Sequence, residues 1–176
     1  MKTLRKVVLP LLFVALAVAA MLLVVFAQYK EVYGGVTTVI KGVTFGATEQ
    51  ITTIGSTTIS TKIEDCKPAI MPLIGFILMG LGLVAGVLAI FIKDEKVAKV
   101  VALFAALFVL VGGVFQFFAL SSLARAMADK TGGKYEDYME HAKEAGGKIV
   151  LCTVGGILGI VASLVLAARA LLPAKK

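Results

Sequence analysis

AIMPLIGFILMGLGLVAGVLAIFIKDEKVAKVVALFAALFVLVGGVFQFFAL, residues 69–120, is the stretch that decides the fold. It contains two apolar runs, 69–92 and 97–120, separated only by Lys93-Asp94-Glu95-Lys96. A hydrocarbon core of ~30 Å takes roughly 20 helical residues at ~1.5 Å each, and each run reaches that length. Four charged residues between them leave room for a tight turn alone, so the runs read as an antiparallel pair of membrane helices. Working outward, 7–27 and 149–172 are apolar in the same way. Inside such spans the backbone finds no water, so each must close its own hydrogen bonds as a helix. Pro68 and Pro72 suit the start of the second span, where a missing N–H costs little, and Pro173 closes the fourth. The expected fold class is an all-α integral membrane protein, a single four-helix domain over 1–176. It carries a first outer loop at 28–67 and a second at 121–148.

Composition agrees. The 176 residues are 59% hydrophobic and 16% charged, with a mean hydropathy of +0.97, whereas soluble domains are about half apolar and a quarter charged. Two cysteines, one histidine, and the absence of Trp and Asn exclude a cysteine-rich scaffold, a multi-site zinc protein and an N-glycosylation sequon. The formal charge of +7 is unevenly placed. One side gathers Lys2, Arg5, Lys6, Lys93, Lys96, Lys99, Arg169, Lys175 and Lys176 against Asp94 and Glu95. In each outer loop, bases and acids balance. Positive residues favour the cytoplasmic side, which predicts a plasma-membrane protein with both termini inside. The basic rim of Lys93, Lys96, Lys99 and Arg169 then faces anionic lipid, and nucleic acid is not an expected partner. Met1–Lys6 with Val25-Phe26-Ala27 has the outline of a signal peptide. The apolar run of about 20 residues exceeds the usual ~7–15 of such segments, so a retained helix is expected.

The two outer loops differ in chemistry. In 28–67 Thr, Val, Ile and Gly dominate: VTTVI at 36–40, QITTI at 50–54 and TTISTKI at 57–63 are β-branched runs punctuated by Gly34-Gly35, Gly42, Gly46 and Gly55-Ser56. They predict an antiparallel meander of three or four strands, with Gly55-Ser56 as the best hairpin turn. Its threonines read as a solvated sheet face or as a pairing edge. In 121–148 the third helix continues to Lys130, Gly132-Gly133 breaks it, and a polar helix runs from Tyr135 until Gly146-Gly147. That helix places Asp137 and His141 at i,i+4, but without further ligands it reads as a solvated helix, and no metal is expected.

In lipid, helices approach closely through small residues. Gly75, Gly82, Gly86 and Ala89 share one face of the second helix. Cys152, Gly155, Gly156, Gly159, Ala162 and Ser163 share one on the fourth. Ala98, Ala102, Ala105, Ala106, Gly112, Gly113 and Gln116 share one on the third, away from a stripe of Phe104, Phe108, Val111, Phe115 and Phe118. These faces either close the bundle or join protomers. Gln116 is the only strongly polar residue within a span and reads as interhelical glue. Cys66 and Cys152 fall at the same membrane level on the outer side, as a candidate disulfide or as two packed thiols.

The order of parts resembles claudin-like tetraspans: a strand-rich first outer loop, a tight inner turn at 93–96, a third helix prolonged outward and a smaller second loop. The signature Trp and loop cysteine pair of that family do not occur, since Cys66 stands alone in 28–67, so no functional residue transfers. No Ser-His-Asp set, H-E-x-x-H motif, phosphate loop or intramembrane carboxylate pair can be assembled, which points away from an enzyme and from a cofactor. The expected function is a structural or interaction protein. It self-associates or accompanies another membrane protein through the outer β-rich loop. A channel or small-solute transporter between protomers, lined by Gln116 and a Thr-rich vestibule, is the alternative, and lipid binding by the basic rim a third.

Overall fold

The computed structural model describes residues 8–171. Val7 and Leu172, with which the first and fourth expected spans begin and end, lie outside the described residues. So do Lys2, Arg5, Lys6, Pro173, Lys175 and Lys176, which the sequence reading assigns to the inner side. In chain order the elements are α1 (Leu9–Val25), β1 (Gln28–Tyr33), β2 (Val36–Lys41), β3 (Glu49–Ile54), β4 (Thr57–Lys62), α2 (Ile70–Phe91), α3 (Glu95–Phe115), a single 3-10 turn (Gln116–Phe118), α4 (Ala119–Thr131), α5 (Tyr135–Glu144) and α6 (Val150–Leu171).

Among the described residues three helices are long and apolar enough to cross a membrane: α2, the rod Glu95–Thr131 made by α3, the 3-10 turn and α4, and α6. Helix α1 is apolar too but has 17 residues. Helix α3 packs on α2 and α6, and α6 packs on α1. Between α2 and α3 the chain turns on Asp94. Its carboxylate accepts from the amides of Lys96 (2.8 Å) and Val97 (3.1 Å), satisfying two otherwise orphaned donors at the α3 N-terminus. Glu95 follows in the first turn and pairs with Lys99 at 3.4 Å.

The four strands form one antiparallel sheet in the order β1-β2-β3-β4. Gly34-Gly35, both at positive φ (57° and 80°), close the first hairpin, and Gly55-Ser56 closes the last. Strand β1 is the one the β-branched pattern did not single out, because Lys30 and Glu31 dilute it. At its base the sheet is fastened to helix ends. The Thr44 hydroxyl donates to the Val24 carbonyl (2.8 Å) where α1 ends, and the Ala69 amide donates to the Val43 carbonyl (3.2 Å) just before α2. Around these ties lies an apolar cluster that includes Val43, Ala69, Leu123, Ile149 and Cys152.

Candidate functional site

Register divides the sheet into two faces. Tyr29, Glu31 and Tyr33 of β1 stand opposite Ile40, Thr38 and Val36 of β2, which stand opposite Gln50, Thr52 and Ile54 of β3. This inner face covers α4 and α5. The other face carries Lys41, Glu49 and Ser60, where Glu49 accepts from Lys41 Nζ (2.8 Å) and from the Ser60 hydroxyl (2.5 Å). These bonds, Lys41 first and Ser60 second, hold the Glu49 carboxyl below its ordinary 4.5.

The two edges are finished differently. On β1, Lys30 exchanges both main-chain bonds with Lys148 (2.9 Å each), and the Val32 amide donates to Ala145 (3.2 Å). The segment between α5 and α6 thus covers that edge. A Cβ at Gly147 would overlap the Tyr29 ring, so the segment lies flush against β1. On β4 all six residues are exposed. The Ile63 amide donates to Thr48 (3.0 Å). By that alternation the odd residues of β4 bond to β3, and the N–H and C=O groups of Thr58, Ser60 and Lys62 point outward. The strand holds no Pro, and its one charge, Lys62, is terminal.

Between the inner face and the helices α4 and α5 lies a cleft of about 230 Å³. Ile40, Leu123 and Met127 give it an apolar floor, and Glu31, Tyr138 and His141 a polar wall. Tyr29 donates its hydroxyl to Glu31 Oε2, and His141 Nε2 lies 3.6 Å from the same oxygen. The Tyr29 phenol is raised well above its ordinary value, by burial first and then by the hydrogen bond to and charge of Glu31. The helix carrying His141 is held in place by Tyr138, whose hydroxyl meets Thr131 Oγ1 at 2.6 Å across the Gly132-Gly133 break. Arg125 sits over the Tyr135 ring at 5.6 Å. Sequence reading linked His141 to Asp137 on its own helix. The structure aims it instead at Glu31, a long-range partner. The available signal was the alternation Tyr29, Glu31, Tyr33, which puts one carboxylate on an aromatic strand face.

The small residues of the spans meet neighbours within the same chain. Gly75 and Gly112 oppose each other: a Cβ on either would sit 2.6 Å from the other's carbonyl oxygen. Gly113 and Gly156 do the same at 2.8 and 2.7 Å. Gly82 faces the Ala105 carbonyl, Gly86 the Phe13 ring, Gly155 the Ala20 carbonyl and Gly159 the Met79 sulfur. Ser163 is buried and donates to the Ile160 carbonyl at 2.7 Å. Gln116, 0% exposed, donates from Nε2 to Pro72 O at 3.1 Å. The phenylalanines 104, 108 and 118 are exposed. Lys93 and Lys96 are exposed, whereas Lys99 and Arg169 are half-buried.

The candidate disulfide is not formed, and both cysteines are free thiols. Cys152 is fully buried. Cys66 turns to Met127, with the sulfurs 3.9 Å apart. Cys152 belongs to the apolar cluster beneath the sheet, and Cys66 packs against it. Among the described residues no group of three His, Cys, Asp or Glu side chains is placed to hold a metal. No protein-family model matches the chain, and no curated protein matches it.

Proposed function

We propose that the chain is a non-enzymatic plasma-membrane protein that crosses the bilayer four times with its termini inside, and that it self-associates through the bare edge of its outer sheet. The 17 residues of α1 reach the lower end of the ~17–25 that a spanning helix uses. The nine bases gathered with the termini and the 93–96 turn against two acids, beside outer loops in which charges balance, support the orientation.

The observation that carries the reading is the contrast between a sealed β1 and an open β4. An uncovered strand edge is a template for another strand, giving affinity through main-chain bonds. A second copy fits this edge. With Ser60 opposite its counterpart, Lys62 falls opposite Thr58, so no like charges meet, and about six main-chain hydrogen bonds close. The 28–67 loop is also neutral, Lys30, Lys41, Lys62 and Lys67 being balanced by Glu31, Glu49, Glu64 and Asp65, so two copies do not repel. The channel alternative draws no support from Gln116, which packs between Gly75 and Gly156 in the interior of one bundle.

The test is cross-linking of Ser60→Cys in a Cys66→Ser background with a short thiol reagent in native membranes. A covalent dimer is expected, and Thr58→Pro should abolish it. The Thr58 N–H points outward, so proline there removes no main-chain bond of the sheet and only the exposed side-chain bond between Thr58 and Thr53 (3.3 Å). A chain that remains monomeric throughout overturns the reading.

A further inference from the structure

The cleft between the sheet and α5 holds a largely covered carboxyl group with no Lys or Arg of the described residues beside it. The Glu31 side chain is 13% exposed. Its hydrogen-bond donor is the neutral Tyr29 hydroxyl, and among the described residues its sole ion-pair neighbour is His141, 3.6 Å away. An imidazole carries charge only when protonated, and this one is itself 55% exposed. No Lys or Arg of the described residues lies within 4.0 Å of Glu31. Burying a carboxylate is costly unless a cation accompanies it. A carboxylate kept at the wall of a cavity, beside Tyr138 and above Leu123 and Met127, has the makings of one half of an ion pair.

From this geometry we infer that the cleft binds a small organic cation, an alkyl- or arylalkyl-ammonium, with its charge on Glu31 and its apolar body on the Leu123–Met127 floor. Three features select that class. The lining is mainly hydrocarbon, which excludes a hydrated metal ion that needs several oxygen ligands. The tyrosine rings add faces that attract a cation. The volume of about 230 Å³ falls below the ~300–1,000 Å³ of drug-sized sites, which limits the ligand to a compact molecule. This site is separate from the β4 edge and does not depend on self-association.

The experiment uses the full chain in nanodiscs of zwitterionic lipid, with empty nanodiscs as the partition blank. Binding of phenethylammonium is compared by calorimetry with that of 2-phenylethanol, a neutral molecule of similar shape. The ammonium should bind at least about tenfold more tightly, the ratio expected of one charge-assisted hydrogen bond. Glu31→Gln should erase that preference. Glu49→Gln, which removes a carboxylate on the opposite face of the sheet, should keep it. Equal binding of the two probes by the native chain, no binding of either, or a preference that survives Glu31→Gln would each overturn the assignment. The comparison of probes on the native chain stands even if a variant fails to fold.

Discussion

The bundle and the hairpin tips of the sheet are built on opposite uses of glycine. In the bundle, Gly75, Gly112, Gly113 and Gly156 are there because carbonyl oxygens stand where a side chain would begin. In the sheet, Gly34, Gly35 and Gly55 have nothing within 4 Å of a hypothetical Cβ and serve only the positive φ of the turns. The difference teaches that a lipid-immersed core, without hydrophobic driving force between its helices, is held by proximity. The outer layer is held by ladders and ties instead, so the two regions should fail in different ways.

The largest effect is expected in the bundle. Gly75→Ala puts a methyl 2.5 Å from Gln116 Nε2 and 2.6 Å from the Gly112 oxygen, so it should destabilise by about 1–3 kcal/mol or more. Gly80→Ala on the same helix meets only Met21 at 3.4 Å and should be neutral or stabilising, by up to about 1 kcal/mol. Thermal unfolding in mild detergent reads both, and equal effects would break the contrast. In the sheet, Gly34→Val incurs only the strain of φ +57°, about 1–2 kcal/mol. Amide exchange should show that loss in β1 and β2 while the helices stay protected.

The smallest effect is an acid one. The Glu49 carboxyl titrates below its ordinary 4.5 in the folded sheet, so its bonds contribute fully above that value. Their contribution fades as pH falls through the lower folded value. Lower protection of β3 and β4 amides at pH 3 than at pH 6, measured relative to the intrinsic exchange rate at each pH and absent in Glu49→Gln, is the expected record, and the protection of bundle amides should not change.

Much of this division was legible in the sequence. Helix α2 lies within one residue at each end of the expected 69–92, because apolar length and proline placement settle such boundaries. Strands β2, β3 and β4 were visible as β-branched runs between glycines. Strand β1 was not, since its alternation mixes tyrosines with charges. The 3-10 turn at Gln116–Phe118 had no signal either; it occurs where Gln116 reaches across to Pro72. The cleft was invisible for a related reason. Glu31 and His141 are brought together by the seal of β1 against residues 145–148, a pairing that no local pattern encodes.

The ties of Thr44 to Val24, Ala69 to Val43 and Lys148 to Lys30 leave the outer layer little slack. Each joins a strand or its loop to the end of a different helix: α1, α2 and α6. A pull on the hairpin tips would therefore be shared among three helix ends, making the sheet a handle on the bundle.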